Sequence, residues 1–120
     1  MPRNMSFAMT VEQVRDQSKT VTRRQSWDSL KPGTLLQPVV KGMGLKKGEK
    51  VEKIGGLIRV YSIQKDRIAD ISRDDVIREG FPGISNLEFI EMYCQANKVK
   101  PSDVCNRIEF EYVNEGGGDE

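Results

Sequence analysis

Thr10-Val11-Glu12-Gln13-Val14-Arg15-Asp16-Gln17-Ser18-Lys19-Thr20-Val21-Thr22-Arg23-Arg24 changes its period part-way along, and that change decides the class of fold. Thr10 stands before an apolar-periodic run and Gln13 follows three residues later, the spacing of a capping box, so residues 11–17 are predicted to be a helix. After Ser18 the residues become β-branched and alternate, which fits a strand over 19–24 rather than a longer helix. A polar, basic strand therefore follows directly on a helix. In a regular strand Lys19 and Thr22 would point to opposite faces. Either Lys19 precedes the strand or a bulge at the helix-to-strand junction turns it.

Outward from this stretch, residues 6–9 read as a short first strand. Leu30-Lys31-Pro32-Gly33 is a turn by its Pro-Gly pair, and residues 34–41 are rich in Leu and Val like a buried strand, with Pro38 pushing it toward a sheet edge or a bulge. Residues 41–50 hold three glycines and four lysines and read as a projecting loop. Residues 49–54, a Gly55-Gly56 turn and residues 57–64 have the pattern of a hairpin. A short helix over 74–79 closes at Gly80, and a second capping box, Ser85 with Glu88, opens a helix over 86–97 whose apolar face holds Leu87, Ile90, Met92, Tyr93 and Cys94. Residues 106–113 alternate, Ile108, Phe110 and Tyr112 on one face and Arg107, Glu109 and Glu111 on the other. The tail 114–120 has no apolar residue and is expected to be loose. This order predicts an α+β fold in which a curved sheet of five to six mixed strands closes into a small barrel with two to three short helices on it.

Composition narrows the chemistry. The chain has 120 residues, enough for one domain, with 37% hydrophobic and 31% charged residues. No apolar run approaches the roughly 20 residues that span a bilayer, and residues 1–10 lack an apolar signal region, so a cytoplasmic location is expected. The two cysteines are too few for a disulfide framework, and Cys94, on a helical pattern, is expected to be the more buried. Histidine is absent, which removes the usual general base, the commonest zinc ligand and every Ser-His or Cys-His arrangement. Catalysis, if any, falls to Lys, Thr, Ser, Tyr, Asp or Glu. A net charge of +1 argues against wholesale duplex binding, although basic residues from Arg15 to Lys53 crowd the first half.

Phe7-Ala8-Met9-Thr10, Lys19-Thr20-Val21-Thr22-Arg23-Arg24, Trp27, Leu30-Lys31-Pro32-Gly33, residues 42–50, Glu79-Gly80-Phe81-Pro82 and Arg107-Ile108-Glu109-Phe110 together resemble an ASCH domain. That family is an RNA-associated branch of the PUA-like barrels, and the likeness is greatest to versions from phage genomes. The chain is expected to be one such domain over 1–113 followed by a disordered tail, with no cofactor and no metal. In one branch, bacterial amidohydrolases that deacetylate acetylcytidine, a lysine and a threonine of a Lys-Thr-Ile-Thr segment act with a later glutamate. Lys19, Thr22 and Glu79 match these positions, implying a lysine base, a threonine nucleophile and a glutamate proton donor. The loop of residues 41–50 and the Gly80-Phe81-Pro82 sequence depart from that branch.

A lysine can serve as a base where burial or neighbouring cations such as Arg23 and Arg24 lower its pKa. Three functions remain open: a nucleoside-directed amidohydrolase, a non-catalytic module for single-stranded RNA, and a metal-independent ribonuclease. In any of them Thr20, Arg23, Arg24, Trp27, Lys41, Lys46, Lys47 and Lys50 are candidates for binding substrate or RNA. Each has a plainer reading. The arginines and lysines suit a solvated face, Trp27 a core or rim position, the glycine-lysine loop a solvated tip, and Phe89, Met92 and Tyr93 a core. The loop lacks the spacing of a P-loop, which excludes nucleoside triphosphate hydrolysis. A monomer is expected, with a modified nucleoside or single-stranded RNA as partner.

Overall fold

The strand Val104–Tyr112 (β5) carries the alternation expected of a half-buried strand: Ile108 and Phe110 are buried while Glu111 is exposed. In the computed structural model, which describes residues 2–41 and 50–113, β5 pairs antiparallel with Ile58–Arg67 (β4) on one side and Val21–Arg24 (β2) on the other. Leu35–Val39 (β3) joins β4 antiparallel, and Arg3–Ser6 (β1) joins β3 in parallel. The five-stranded mixed sheet thus runs β1-β3-β4-β5-β2. Its two edge strands come together where Arg24 Nη2 of β2 donates to Ser6 O of β1 at 2.7 Å. A guanidinium rather than a backbone ladder closes the curved sheet.

Three helices complete the α+β fold: Val11–Arg15 (α1), Arg73–Arg78 (α2) and Asn86–Asn97 (α3), besides a short 3₁₀ turn at Ile68–Asp70. α3 has the predicted bounds and the predicted box, Ser85 Oγ accepting from Glu88 N and Glu88 Oε1 accepting from Ser85 N. Two apolar clusters form the core. Met5, Phe7, Leu36, Ile58 and Phe110 centre one, and Ile68, Val76, Phe89 and Tyr93 the other.

Several expectations need correction. Thr10 makes no side-chain cap bond. Gln13, its expected partner, instead sends Nε2 across to Gly80 O at 3.0 Å. α1 stops at Arg15 because Gln17 takes a left-handed backbone, φ 66°. The first strand lies at Arg3–Ser6, earlier than predicted, since β3 offers its parallel partners to those residues.

The hairpin over 49–64 does not form, because β3 and β5 already occupy both flanks of β4. Residues 50–54 run instead beside the end of β3, with Ile54 N donating to Pro38 O and an isolated bridge joining Val39 to Lys53. Pro38 accordingly sits in an inner strand, beyond the point where the β3–β4 pairing ends at Leu36 and Ile58. α2 begins at Arg73, capped by Ser72. Leu87 is exposed rather than part of the buried face, and Cys105, inside β5, is buried whereas Cys94 is only partly so.

Candidate functional site

Lys19 precedes β2, so strand alternation does not govern it. Its backbone is fixed from three directions: Lys19 N donates to Gln13 O, Tyr112 Oη donates to Lys19 O at 2.5 Å, and the next residue, Thr20, donates N–H to Arg78 O. This anchoring turns the lysine inward, where it is 3% exposed. Its Nζ donates to Glu79 Oε1 at 2.8 Å and to Glu79 O at 2.7 Å. Burial pulls the Lys19 pKa below the ordinary lysine value, Glu79 opposes that pull, and Arg24 and Arg23 reinforce it.

Glu79 is the C-cap of α2, and Gly80 follows it with φ 103°. A Cβ at Gly80 would stand 2.8 Å from Gln13 Cγ, so only glycine lets the chain turn this closely under α1 and bring the glutamate inward. Thr22 of β2 is also buried, and its Oγ1 accepts from Arg24 Nε at 3.0 Å. Among the described residues Lys19 bonds Glu79 and Thr22 bonds Arg24, so the amine and the hydroxyl are not hydrogen-bonded to each other.

Lys19, Thr22, Arg23, Arg24 and Glu79 all line one cavity of about 220 Å³. Phe81, Phe89, Met92 and Tyr93 form an apolar wall, so residues that first read as core also face this space. Phe7 enters from the first apolar cluster and Phe89 and Tyr93 from the second, which places the cavity at the seam between them. Burial pushes the Tyr93 phenol pKa up, and its hydroxyl donates to Gln25 Oε1 at 2.6 Å.

Three polar atoms here are buried with no hydrogen-bond partner among the described residues: Arg23 Nε, Arg23 Nη1 and Glu79 Oε2. Nη1 and Oε2 are 3.6 Å apart, close enough to attract but too far to bond. The other end of Arg23 is occupied, Nη2 donating to Asp75 Oδ2 at 2.8 Å. Arg107 meets the same carboxylate with two bonds, Nε to Oδ2 at 2.7 Å and Nη2 to Oδ1 at 3.0 Å. Chiefly through Arg107, this holds the Asp75 carboxyl at a pKa of about 2. The buried Cys105 thiol, its pKa raised to about 11 mainly by burial, lies near Arg23, but sulfur is a weak acceptor and does not satisfy a guanidinium.

The remaining candidates lie apart from the cavity. Thr20 Oγ1 accepts from Arg78 Nε, tying β2 to α2. Trp27 packs against the first core cluster with Arg3 over its ring at 4.6 Å, beside a separate surface hollow. Lys41 and Lys50 are exposed, and Lys46 and Lys47 fall outside the described residues, as does the tail 114–120. No group of three or more metal-ligating side chains occurs among the described residues. No described helix is long and apolar enough to cross a membrane. The sequence gives no sign of the part Asp75 plays beside Arg23, because an acid in the first turn of a helix has an ordinary role there.

No protein-family model and no curated protein matches the sequence. Solved structures do. An ASCH domain from Lactobacillus crispatus JV V101 superimposes with a TM-score of 0.58 at 15% identity, over 91% of this chain and 77% of that one. The fold is that of an ASCH domain. Protein EF3133 from Enterococcus faecalis V583, of the domain family DUF984, shares this ASCH-like fold at a TM-score of 0.64 and 15% identity, over 100% of this chain and 84% of that one. Hypothetical protein PH0355 does so at 0.62 and 17%, over 94% and 100%.

Proposed function

We propose that this ASCH-fold chain belongs to the ASCH family and is an RNA- or nucleoside-directed amidohydrolase that removes an acyl group from the exocyclic amine of a pyrimidine, acetylcytidine being the type substrate. The observation that carries the reading is the convergence of Lys19, Thr22 and Glu79 on one cavity. At about 220 Å³ the cavity is smaller than the roughly 300–1,000 Å³ of drug-sized sites, which suits one ring with a short substituent. Its aromatic wall suits a flat base.

In this reading Lys19, its pKa lowered by burial, hands a proton to Glu79, 2.8 Å away, as substrate arrives and, now neutral, takes the hydroxyl proton while Thr22 Oγ1 attacks the acyl carbon. Glu79 then gives its proton to the departing amine, and water cleaves the threonyl ester. Arg24 Nε, already on Thr22 Oγ1, leaves the hydroxyl proton free to point elsewhere. Lys19 reaches Thr22 only when substrate draws the two together, as catalytic contacts commonly tighten in the complex.

A second reading, a non-catalytic module for single-stranded RNA, is favoured by the missing Lys19–Thr22 bond. Incubation with acetylcytidine, followed by chromatography of cytidine and acetate, separates the two. The hydrolase reading expects turnover that falls by about 100-fold or more in Thr22→Ala and Lys19→Ala. Unchanged turnover in either variant overturns the assignment. RNA binding that weakens steeply with salt and yields no product supports the second reading.

A further inference from the structure

Resting on the reading of the cavity as a nucleoside site, we infer that Arg23 is a specificity-determining residue and Asp75 its positioning residue: Arg23 Nη1 and Glu79 Oε2 together read a ring edge that presents an acceptor and a donor on neighbouring atoms. Both side chains are buried, 5% and 3% exposed, and both atoms lack a hydrogen-bond partner among the described residues. Leaving a charged group's hydrogen-bonding atom buried and unpaired is costly, so such atoms mark where a ligand completes the pairing. Nη1 can only donate and carboxylate Oε2 can only accept. Held 3.6 Å apart, they complement a ring nitrogen beside an amine, or a carbonyl beside a ring N–H. On an acylated cytosine the same pairing sets Glu79 against the amide nitrogen that must take the proton.

Arg23 does not hold this position by itself. It lies directly across the β2–β5 ladder from Arg107, and like charges in that relation repel. Asp75 reaches in from α2 and binds both guanidiniums, and Arg107 also meets Glu109 at 3.3 Å. With Nη2 turned to Asp75 at 2.8 Å, and to Asp66 at the longer 3.5 Å, Nε and Nη1 make no hydrogen bond among the described residues. Asp75 itself is not among the residues that line it.

The experiment is a calorimetric titration with cytidine, which is not turned over, and with two ribosides whose edge is altered. Pyrimidin-2-one riboside lacks the amine, and 3-methyluridine lacks the ring N–H. The wild-type protein is expected to bind cytidine about tenfold or more tighter than either, the cost of one unmade bond to a buried charge. Asp75→Asn and Arg23→Lys are expected to shrink that ratio toward one. A merely structural role for Asp75 would weaken all three ligands alike and leave the ratio intact. Equal binding of the three by the wild-type protein, or no binding of cytidine at millimolar concentration, overturns the inference without use of either variant. Edge-dependent binding without release of product from acetylcytidine would retire hydrolysis and keep the edge-reading pair.

Discussion

Glu79→Gln and Lys19→Met break the same buried ion pair from opposite sides, and the surroundings make the two losses unequal. Without Lys19, the Glu79 carboxylate still faces Arg23 Nη1 at 3.6 Å and feels Arg24, so its charge remains compensated. Methionine fills much of the lysine's volume but leaves Glu79 Oε1 without its donor, and the two arginines hold the loss to about 2–3 kcal/mol, below the range usual for removing one partner of a buried pair. Without the Glu79 charge, Lys19 is left with Arg23 and Arg24 and only the carbonyl of residue 79, a neutral acceptor, to set against burial. The protein escapes by discharging Lys19, which sets a ceiling: from the ordinary value of 10.5 to about pH 7.5 is about 3 units, or about 4 kcal/mol.

The sign follows from Lys19 having a lower pKa folded than unfolded. The unfolded chain binds the extra proton, so the penalty is full below the folded pKa and is relieved as pH rises toward 10.5. Glu79→Gln should therefore regain stability relative to the wild type over the range in which its own Lys19 is neutral while the wild-type Lys19, whose pKa Glu79 raises, is still charged; Lys19→Met has no such group to discharge. Urea unfolding followed by circular dichroism at about pH 7.5 and about pH 9.5 measures both. Equal stability of the two variants at the lower pH, or a Glu79→Gln deficit that does not shrink at the higher, refutes the account of a desolvated lysine held by one carboxylate.

Two further outcomes follow from the frame around the cavity. Gly80→Ala combines a positive φ with a Cβ 2.8 Å from Gln13 Cγ and should cost about 2–3 kcal/mol, whereas Gly83→Ala, with nothing within 4 Å, should cost far less; thermal melts of equal midpoint would contradict this. Asp75 has a folded pKa of about 2 against an ordinary 3.8, so its contribution is full above the ordinary value and disappears as pH falls through about 2. Urea midpoints taken down that range should show the wild type losing about 1–2 kcal/mol once solvent screening is allowed for, and Asp75→Asn should lack this slope.

The parts of the fold legible in the sequence are those whose physics is local. Ser85 and Glu88 satisfy each other's N–H groups within one turn, and α3 begins where that box places it. β5 alternates because one face meets the core. Where a distant partner decides, local pattern misleads. Thr10 and Gln13 have the spacing of a cap, yet Gln13 is taken by Gly80, 67 residues away. Residues 49–54 have strand-like composition, but the flank of β4 they would need belongs to β3.

The cavity carries this furthest. Lys19 and Glu79 lie 60 residues apart and Arg23 and Asp75 lie 52 apart, so nothing beside any of them marks it as buried. Taken singly, each suits a solvated surface; the resemblance to a family, not periodicity, brought Lys19, Thr22 and Glu79 together, and it was silent on Asp75. The fold supplies a reason for the burial. Charges withdrawn from water at the seam of two apolar clusters cost stability unless paired, and here they are paired incompletely, with Arg23 Nη1 and Glu79 Oε2 left over. A purely structural network would gain by closing that 3.6 Å gap. In the proposed site the two atoms stand side by side toward one ligand edge, and closing the gap would pair them with each other instead.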